Sequence, residues 1–417
     1  MRILLLSDRI PPENRGGAGL MAWRLAQGLT DAKHEVHVVA ATDHFRFTAL
    51  REGIPTYHLR SRYPERFRAY FSLRNPQVIP GLKRLYKQIR PDVINAHNIH
   101  SHLSYASLSL AHQMGIPAVF TSHDVMPFAY TKIDYFIDPH ECGIPDPGAY
   151  RLPERHNLRT QRLRYNPFRN QIIQRILSQD TQVRTAPSQS LADAHAANNL
   201  PNFDVVYNGL NPDTFQASPE AAQALREKLG LQGKKIILFA GRLSRPKGTI
   251  QLMDAMQHII EDVPEAVVLV LSSLPIEQQI QQPEYANLRE KHIVSGGWMA
   301  GEELAAAYQM ADVIVMPSII FESFGMVLTE AMAAHKPVIA SCYSGPTEIV
   351  VDGETGYLIN PYDTDTFADR LRRLLQDAAL NQRMGQAGYE RLLEMFTLEQ
   401  QVQGMLTAYE RAIAQLK

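Results

Sequence analysis

Apolar strand-like runs alternate with amphipathic helical stretches along this chain, and after residues 205–212 the alternation begins afresh. That rhythm marks parallel sheets layered with helices, because neighbouring parallel strands need a crossover between them. Residues 2–7, 35–40, 92–95, 118–121, 183–186 and 204–207 read as the first strand series, with helices at 20–30 and from Ser188 to about Asn198. The second series has strands at 235–240, 266–271, 292–295, 313–316, 338–341 and 357–359. Its helices fall at 249–262, 302–310 and 325–334, the last stopping before Pro337 because a residue preceding proline avoids the α region. Pro201, Asn208, Gly209 and Pro212 interrupt the pattern between the two series.

A chain of 417 residues exceeds what one hydrophobic core usually holds. The expectation is therefore an α/β protein of two domains, residues 1–207 and 208–397, followed by a helix at 398–417. Open parallel sheets bind ligands outside the carboxyl ends of their strands, so a cleft between facing domains is the expected active site. The stretch 124–165, with Pro127, Pro139, Pro145, Pro147 and Pro153, fits neither rhythm and reads as a long functional loop or lid.

Charge and composition narrow the class. The net charge of −1 hides a split: residues 1–205 hold 25 Lys and Arg against 17 Asp and Glu, and the remainder 17 against 26. Nine basic residues crowd between Arg60 and Arg90 against one acid, Glu65, with Phe67, Tyr70, Phe71 and Tyr86 interleaved. Arg151, Arg155, Arg159, Arg162, Arg164 and Arg169 form a second run. A solvated face is the favoured reading of either run alone; together, an anionic or lipid-linked acceptor or an anionic membrane surface stands level with it. No nucleic-acid partner is expected. Two cysteines, Cys142 and Cys342, exclude a disulfide framework and fit a reducing compartment. His140-Glu141-Cys142 lacks a second ligand cluster, so no metal site is expected. The apolar start 1–6 reads as too short for the core of a secretory leader, and no run is long enough to span a bilayer. A cytoplasmic location is expected, with attachment to the inner membrane face left open.

Chemistry concentrates at three loops. Glu322 and Glu330 flank a Phe324-Gly325 turn and the first residues of a helix, after the strand at 313–316 and Pro317-Ser318. A carboxylate accepts sugar hydroxyls, while helix N–H groups face an anion. Gly241-Arg242-Leu243-Ser244-Arg245-Pro246-Lys247-Gly248 directly follows a strand, and Arg242 and Lys247 suit phosphate oxygens without a metal. Near the N-terminus, Pro11-Pro12-Glu13-Asn14-Arg15-Gly16-Gly17-Ala18-Gly19 leads into a helix, where glycines let backbone amides approach an anion.

Taken in order, these motifs resemble those of the retaining glycosyltransferases of family four, which have the GT-B fold of two facing Rossmann-like domains. The resemblance is also carried by Lys33-His34-Glu35-Val36, Pro91-Asp92-Val93, Ser122-His123-Asp124, Asn208-Gly209, Gly345-Pro346-Thr347-Glu348 and Asp352-Gly353-Glu354-Thr355-Gly356. Ser323, Tyr207 and Lys33 depart from residues frequent in that family, outside the proposed chemistry. The resemblance implies a nucleoside-diphosphate sugar as donor, UDP- or GDP-linked, and no cofactor. It implies that Arg242 and Lys247, with Gly16 and Gly17, bind the diphosphate. It places Glu322, Phe324, Gly325 and Met326 at the donor sugar, Glu330 at the ribose hydroxyls and His123 beside the anomeric centre or the C6 hydroxyl. Trp298 and Met299 are the implied base-binding segment. By the same resemblance, the final helix crosses back onto the first domain.

The expected activity is sugar transfer to an acceptor hydroxyl of a glycan, glycolipid or small molecule, with Glu322 and His123 nearest the chemistry. Two alternatives share the fold: a nucleotide-sugar epimerase or glycogen-synthase-like enzyme, and a non-catalytic sugar-nucleotide-binding protein. An epimerase needs no second sugar acceptor, and a binding protein neither transfers nor hydrolyses the donor.

Overall fold

In the computed structural model, which describes residues 1–13, 16–143 and 145–416, the apolar runs are strands buried on both faces. Lys235–Ala240 and Ala266–Leu271 show why. Their sequences KIILFA and AVVLVL are nearly continuous in apolar side chains, as a strand covered by helices on both sides requires. The chain divides into two compact units. One comprises residues 1–133, 146–209 and 398–417; the other comprises 134–145 and 210–397.

The first unit holds an eight-stranded sheet of β1 (Arg2–Ser7), β2 (Glu35–Thr42), β3 (Phe47–Arg51), β4 (Ile54–Arg60), β5 (Val93–His97), β6 (Ala118–Thr121), β7 (Val183–Ala186) and β8 (Asp204–Val205). The spatial order is β3-β4-β2-β1-β5-β6-β7-β8, parallel except for the β3–β4 pair. That antiparallel edge hairpin was not expected. Its turn, Glu52-Gly53, has φ of 49° and 79°, the positive pair a two-residue hairpin demands. The outer strand is largely exposed, so it carries little apolar alternation for a sequence reading to find.

The terminal helix Leu398–Leu416 packs in this unit. Tyr409 is fully buried and its hydroxyl donates to Asn95 Oδ1 at 2.8 Å. Gly28 on the helix Gly17–Asp31 permits the approach, since a Cβ there would lie 2.7 Å from Val402 Cγ2.

The second unit holds a six-stranded parallel sheet of β9 (Lys235–Ala240), β10 (Ala266–Leu271), β11 (Ile293–Ser295), β12 (Val313–Met316), β13 (Val338–Ser341) and β14 (Gly356–Ile359), in the order β11-β10-β9-β12-β13-β14. No helix among the described residues is long and apolar enough to cross a membrane.

The irregular stretch 124–165 is divided rather than a free loop. Its first part is held within the first unit, where Asn157 and Asn170 donate to the Phe128 carbonyl at 2.9 and 2.6 Å. Residues 134–145 instead belong to the second unit as a strap. Tyr343 Oη donates to the Asp138 carbonyl at 2.5 Å and to the Glu141 carbonyl at 2.7 Å, and Asn360 Nδ2 reaches the same two carbonyls at 3.1 Å. Phe136 meets the rings of Phe321 and Tyr343 edge-on. Cys142 and Cys342 are joined as a disulfide, a pairing the sequence reading did not foresee. That reading counted cysteines but had no means of seeing that folding brings these two, 200 positions apart, together.

Candidate active site

Three neighbouring strands of the second unit, β9, β12 and β13, deliver their carboxyl-terminal loops side by side. The loop after β9 ends in Lys247-Gly248, and Gly248 has φ of 76°. A Cβ at Gly248 would fall 1.8 Å from the Pro317 carbonyl oxygen, in the loop after β12. The Ile319 amide donates to Pro246 O at 3.0 Å, fastening the two loops together. Gly248→Ala combines a left-handed conformation with backbone overlap, so it is expected to destabilise the protein by about 3 kcal/mol or more. Denaturant melts would register this as a lowered midpoint, and an unchanged midpoint would show that the loops are not packed this way.

That fastening sets Lys247 Nζ 2.5 Å from Glu322 Oε1, and Ser318 Oγ donates to the same oxygen at 2.7 Å. The Glu322 side chain is only 12% exposed, so its charge relies on these partners. The third loop fixes its backbone. The Glu322 amide donates to Ser344 Oγ at 3.1 Å, and its carbonyl accepts from the Gly345 amide at 2.9 Å. A side chain at Gly345 would lie 2.7 Å from Glu322 O and from the Phe324 backbone, so close approach requires glycine there.

Gly325, with φ of 119°, is the N-cap of the helix Met326–Ala333. It offers no capping side chain, and the first-turn amides of any helix lack intrahelical acceptors. Phe324 is buried against Phe396, with ring centroids 5.8 Å apart, and Met326 is half-buried. Further along the helix, Glu330 is 8% exposed and accepts from Tyr308 Oη at 2.9 Å. A Glu on this apolar helix was expected to find its hydrogen-bond partner in a ribose. The structure supplies one within the protein.

Arg242 is exposed immediately after β9. Trp298 is 47% exposed, whereas Met299 is 4% exposed and its Sδ-methyl group packs over Gly296, turned away from solvent.

In the first unit, loops after β1, β5 and β6 meet in the same manner, these strands being neighbours in the sheet. Asp8 accepts from the amides of Ser101, His102 and Leu103 at 2.7–2.8 Å. Burial nevertheless raises its pKa, those bonds and the nearby imidazoles opposing. Asp124 accepts from Asn98 Nδ2 at 3.0 Å and pairs with His100 Nε2 at 3.2 Å. Burial alone would raise the Asp124 pKa, but the charge and hydrogen bond of His100, with the Met126 amide, hold it at about 2.

His123, 7% exposed, has its Nε2 2.9 Å from His97 Nδ1. His97 Nε2 has no partner among the described residues, so the shared proton is best assigned to His97 Nδ1. Burial pushes the His123 pKa down to about 4, opposed by Asp124 and assisted by His100. His123 is therefore a neutral imidazole near neutral pH, a hydrogen-bonding group rather than a cation.

Gly16 is the N-cap of Gly17–Asp31, and Gly17 is open, with nothing within 4 Å of where a Cβ would stand. Asn14 and Arg15 of the same loop lie outside the described residues. Ala18, Gly19, Asp8, Asp124 and His100 border a cavity of about 280 Å³.

The structure thus brings Lys247, Glu322 and the helix start at Gly325 together, and leaves Arg242 exposed at the end of β9. Sequence reasoning gave no role to Ser318, Ser344, Tyr308, His97 or His100. Ser318 had a usable signal, standing four residues before Glu322 in the same post-strand loop. Tyr308 and Ser344 had none, because their partners arrive from other elements.

Residues 222–391 match the family model described as glycosyl transferases group 1, and residues 15–214 match that described as glycosyltransferase family 4. An uncharacterised glycosyltransferase of Methanocaldococcus jannaschii is 27% identical over 385 residues, covering 90% of each chain. Spore coat protein SA of Bacillus subtilis is 28% identical over 218 residues, a match spanning 49% of this chain and 58% of that protein. Among solved structures, Anabaena HepE in complex with UDP-glucose superposes with a TM-score of 0.68 over 98% of this chain and 99% of its own, at 19% identity.

Proposed function

The chain is a family 4 glycosyltransferase of GT-B fold, and from that premise we propose that it moves a sugar from a nucleoside-diphosphate donor to an acceptor hydroxyl with retention of configuration, without a metal. The observation that carries this reading is the Lys247–Glu322 contact beside the helix start at Gly325. On this reading the cation and the helix amides take the diphosphate, and the carboxylate takes sugar hydroxyls. The UDP-glucose bound to Anabaena HepE supports a nucleotide-sugar donor.

On this reading the sugar C1–O bond to the diphosphate breaks as C1 bonds to the acceptor oxygen on the same face. The acceptor proton passes to the leaving diphosphate. Negative charge grows on that leaving group, and Lys247, Arg242 and the amides of 325–327 stabilise it in place of a divalent ion. Glu322 orients sugar hydroxyls and faces the positive charge growing on the sugar ring, while the backbone from Phe324 through Gly325 to Met326 borders the sugar, the Phe324 ring itself being buried. Glu330, held by Tyr308, takes the ribose hydroxyls. Within the first unit, the amides at Gly16 and Gly17 suit phosphate oxygens, and neutral His123 suits a hydroxyl as a hydrogen-bonding partner. Trp298 is the base-stacking candidate of its segment, because Met299 is buried.

Donor hydrolysis across a panel of UDP- and GDP-sugars, then product anomer assignment by NMR with the accepted donor, tests the reaction and its stereochemistry. Glu322→Gln is expected to cut kcat by about 10²-fold while UDP or GDP affinity changes little. Equal losses in both would make Glu322 a structural residue.

A further inference from the structure

Two arginine-rich runs far apart in the sequence meet in the fold. Arg66 and Arg68 from the first, Arg164 from the second, and Lys132 between them line one cavity of about 390 Å³ in the first unit. Glu65 is the one carboxylate among its lining residues. Converging positive charge raises the local concentration of anions, so the cavity favours an anionic group.

The wall is built rather than loose. Arg68 Nη2 donates to the Tyr130 carbonyl at 2.9 Å. Behind it Arg169, 3% exposed, donates to the Met126 carbonyl at 2.7 Å and lies 4.6 Å from the Tyr130 ring centroid. Arg68 and Met126 also border the adjoining cavity of Asp8, Asp124 and His100. One compartment therefore offers carboxylates and imidazoles, which recognise hydroxyls. Its neighbour offers guanidinium and ammonium groups, which recognise phosphate.

We infer that the two compartments hold one acceptor: its hydroxyl-bearing part beside Asp8 and Asp124, and its phosphate among Arg66, Arg68, Lys132 and Arg164. This rests on the proposed sugar transfer and names the class of acceptor, a phosphorylated polyol or sugar. That phosphate comes either from a soluble molecule or from a lipid headgroup. Leu163 and Phe168, both exposed near the cavity in sequence, are the side chains a lipid surface would cover.

The experiment compares the full-length protein with an Arg66→Glu/Arg164→Glu double variant, both positions being exposed. Calorimetry uses a hexose 6-phosphate and the unphosphorylated hexose, and sedimentation uses phosphatidylglycerol–phosphatidylcholine vesicles at low and high salt. UDP and GDP are titrated in parallel as a control on folding and on the donor reading. The expected result is tighter binding of a phosphate-bearing probe by the wild type, weakened about tenfold or more in the variant, with nucleotide affinity unchanged. Binding of hexose phosphate alone assigns a soluble acceptor. Salt-sensitive vesicle binding alone assigns a lipid headgroup. The inference is overturned if wild type and variant bind every probe alike, or if neither binds any. Absence of nucleotide binding by the wild type would instead remove the donor reading, and the phosphate comparison would still be readable.

Discussion

Lys247→Ala is expected to lower kcat/KM by about 10²-fold or more and to weaken UDP or GDP binding in step. Two losses combine. The ammonium pairs with Glu322, so its removal strips positive charge from the region proposed for the diphosphate. It also deprives Glu322, 12% exposed, of its cationic partner, leaving a largely desolvated carboxylate where an electron-rich donor must enter. Lys247→Arg keeps the charge but replaces a mobile point donor with a longer planar fork, so partial recovery is expected. Steady-state kinetics with calorimetry of nucleotide binding separates these effects. Wild-type nucleotide affinity in Lys247→Ala would take Lys247 out of diphosphate binding.

Acidification is expected to destabilise the first unit by several kcal/mol between about pH 6.5 and pH 4. His97, His123 and His195 are all buried there, and burial lowers each pKa: to about 4 for His123, to about 3 for His195, and well below the ordinary value for His97. A lowered folded-state pKa means that the unfolded chain binds more protons in this window. Stability therefore rises with pH through it, and is lost as pH falls from the unfolded value toward the folded ones. Asp124, held at about 2, loses its own contribution only below its unfolded value, and Asp8, whose pKa burial raises, offsets part of the histidine effect within the window. Trp23, 3% exposed, reports on the first unit, and Trp298→Phe removes the other tryptophan. Urea melts followed by Trp23 fluorescence at about pH 7 and pH 5 provide the check. Equal stability at both would mean that these imidazoles are charged in the folded protein.

The strands with both faces covered were legible because burial leaves a continuous apolar run: 118–121, 183–186, 235–240, 266–271, 313–316 and 338–341 were placed at the bounds observed. The hairpin of β3 and β4 was not, since an exposed edge strand has no apolar pattern and its turn is signalled only by Glu52-Gly53. That Glu322 and Lys247 come together was legible because both stand in loops after parallel strands, which prove to be neighbours in the sheet. The partners that hold them, Ser344 and the Gly345 amide, come from the loop after β13, and no spacing rule links them to Glu322. The burial of Met299 was equally hidden, because an apolar residue beside an exposed tryptophan has the same appearance in sequence whether it faces solvent or core.

The chain passes between its two units at 133/134, 145/146, 209/210 and 397/398. Cutting at 209/210 alone would therefore not yield two intact halves. A fragment of residues 210–397 would lack the strap and leave Cys342 without its mate, and one ending at 209 would uncover the surface that Tyr409 and Val402 seal. Chimaeras that graft a relative's second unit onto this first unit must transplant 134–145 along with 210–397, and keep 398–417 native. Specificity exchange in this protein is accordingly a matter of moving two separate pieces together.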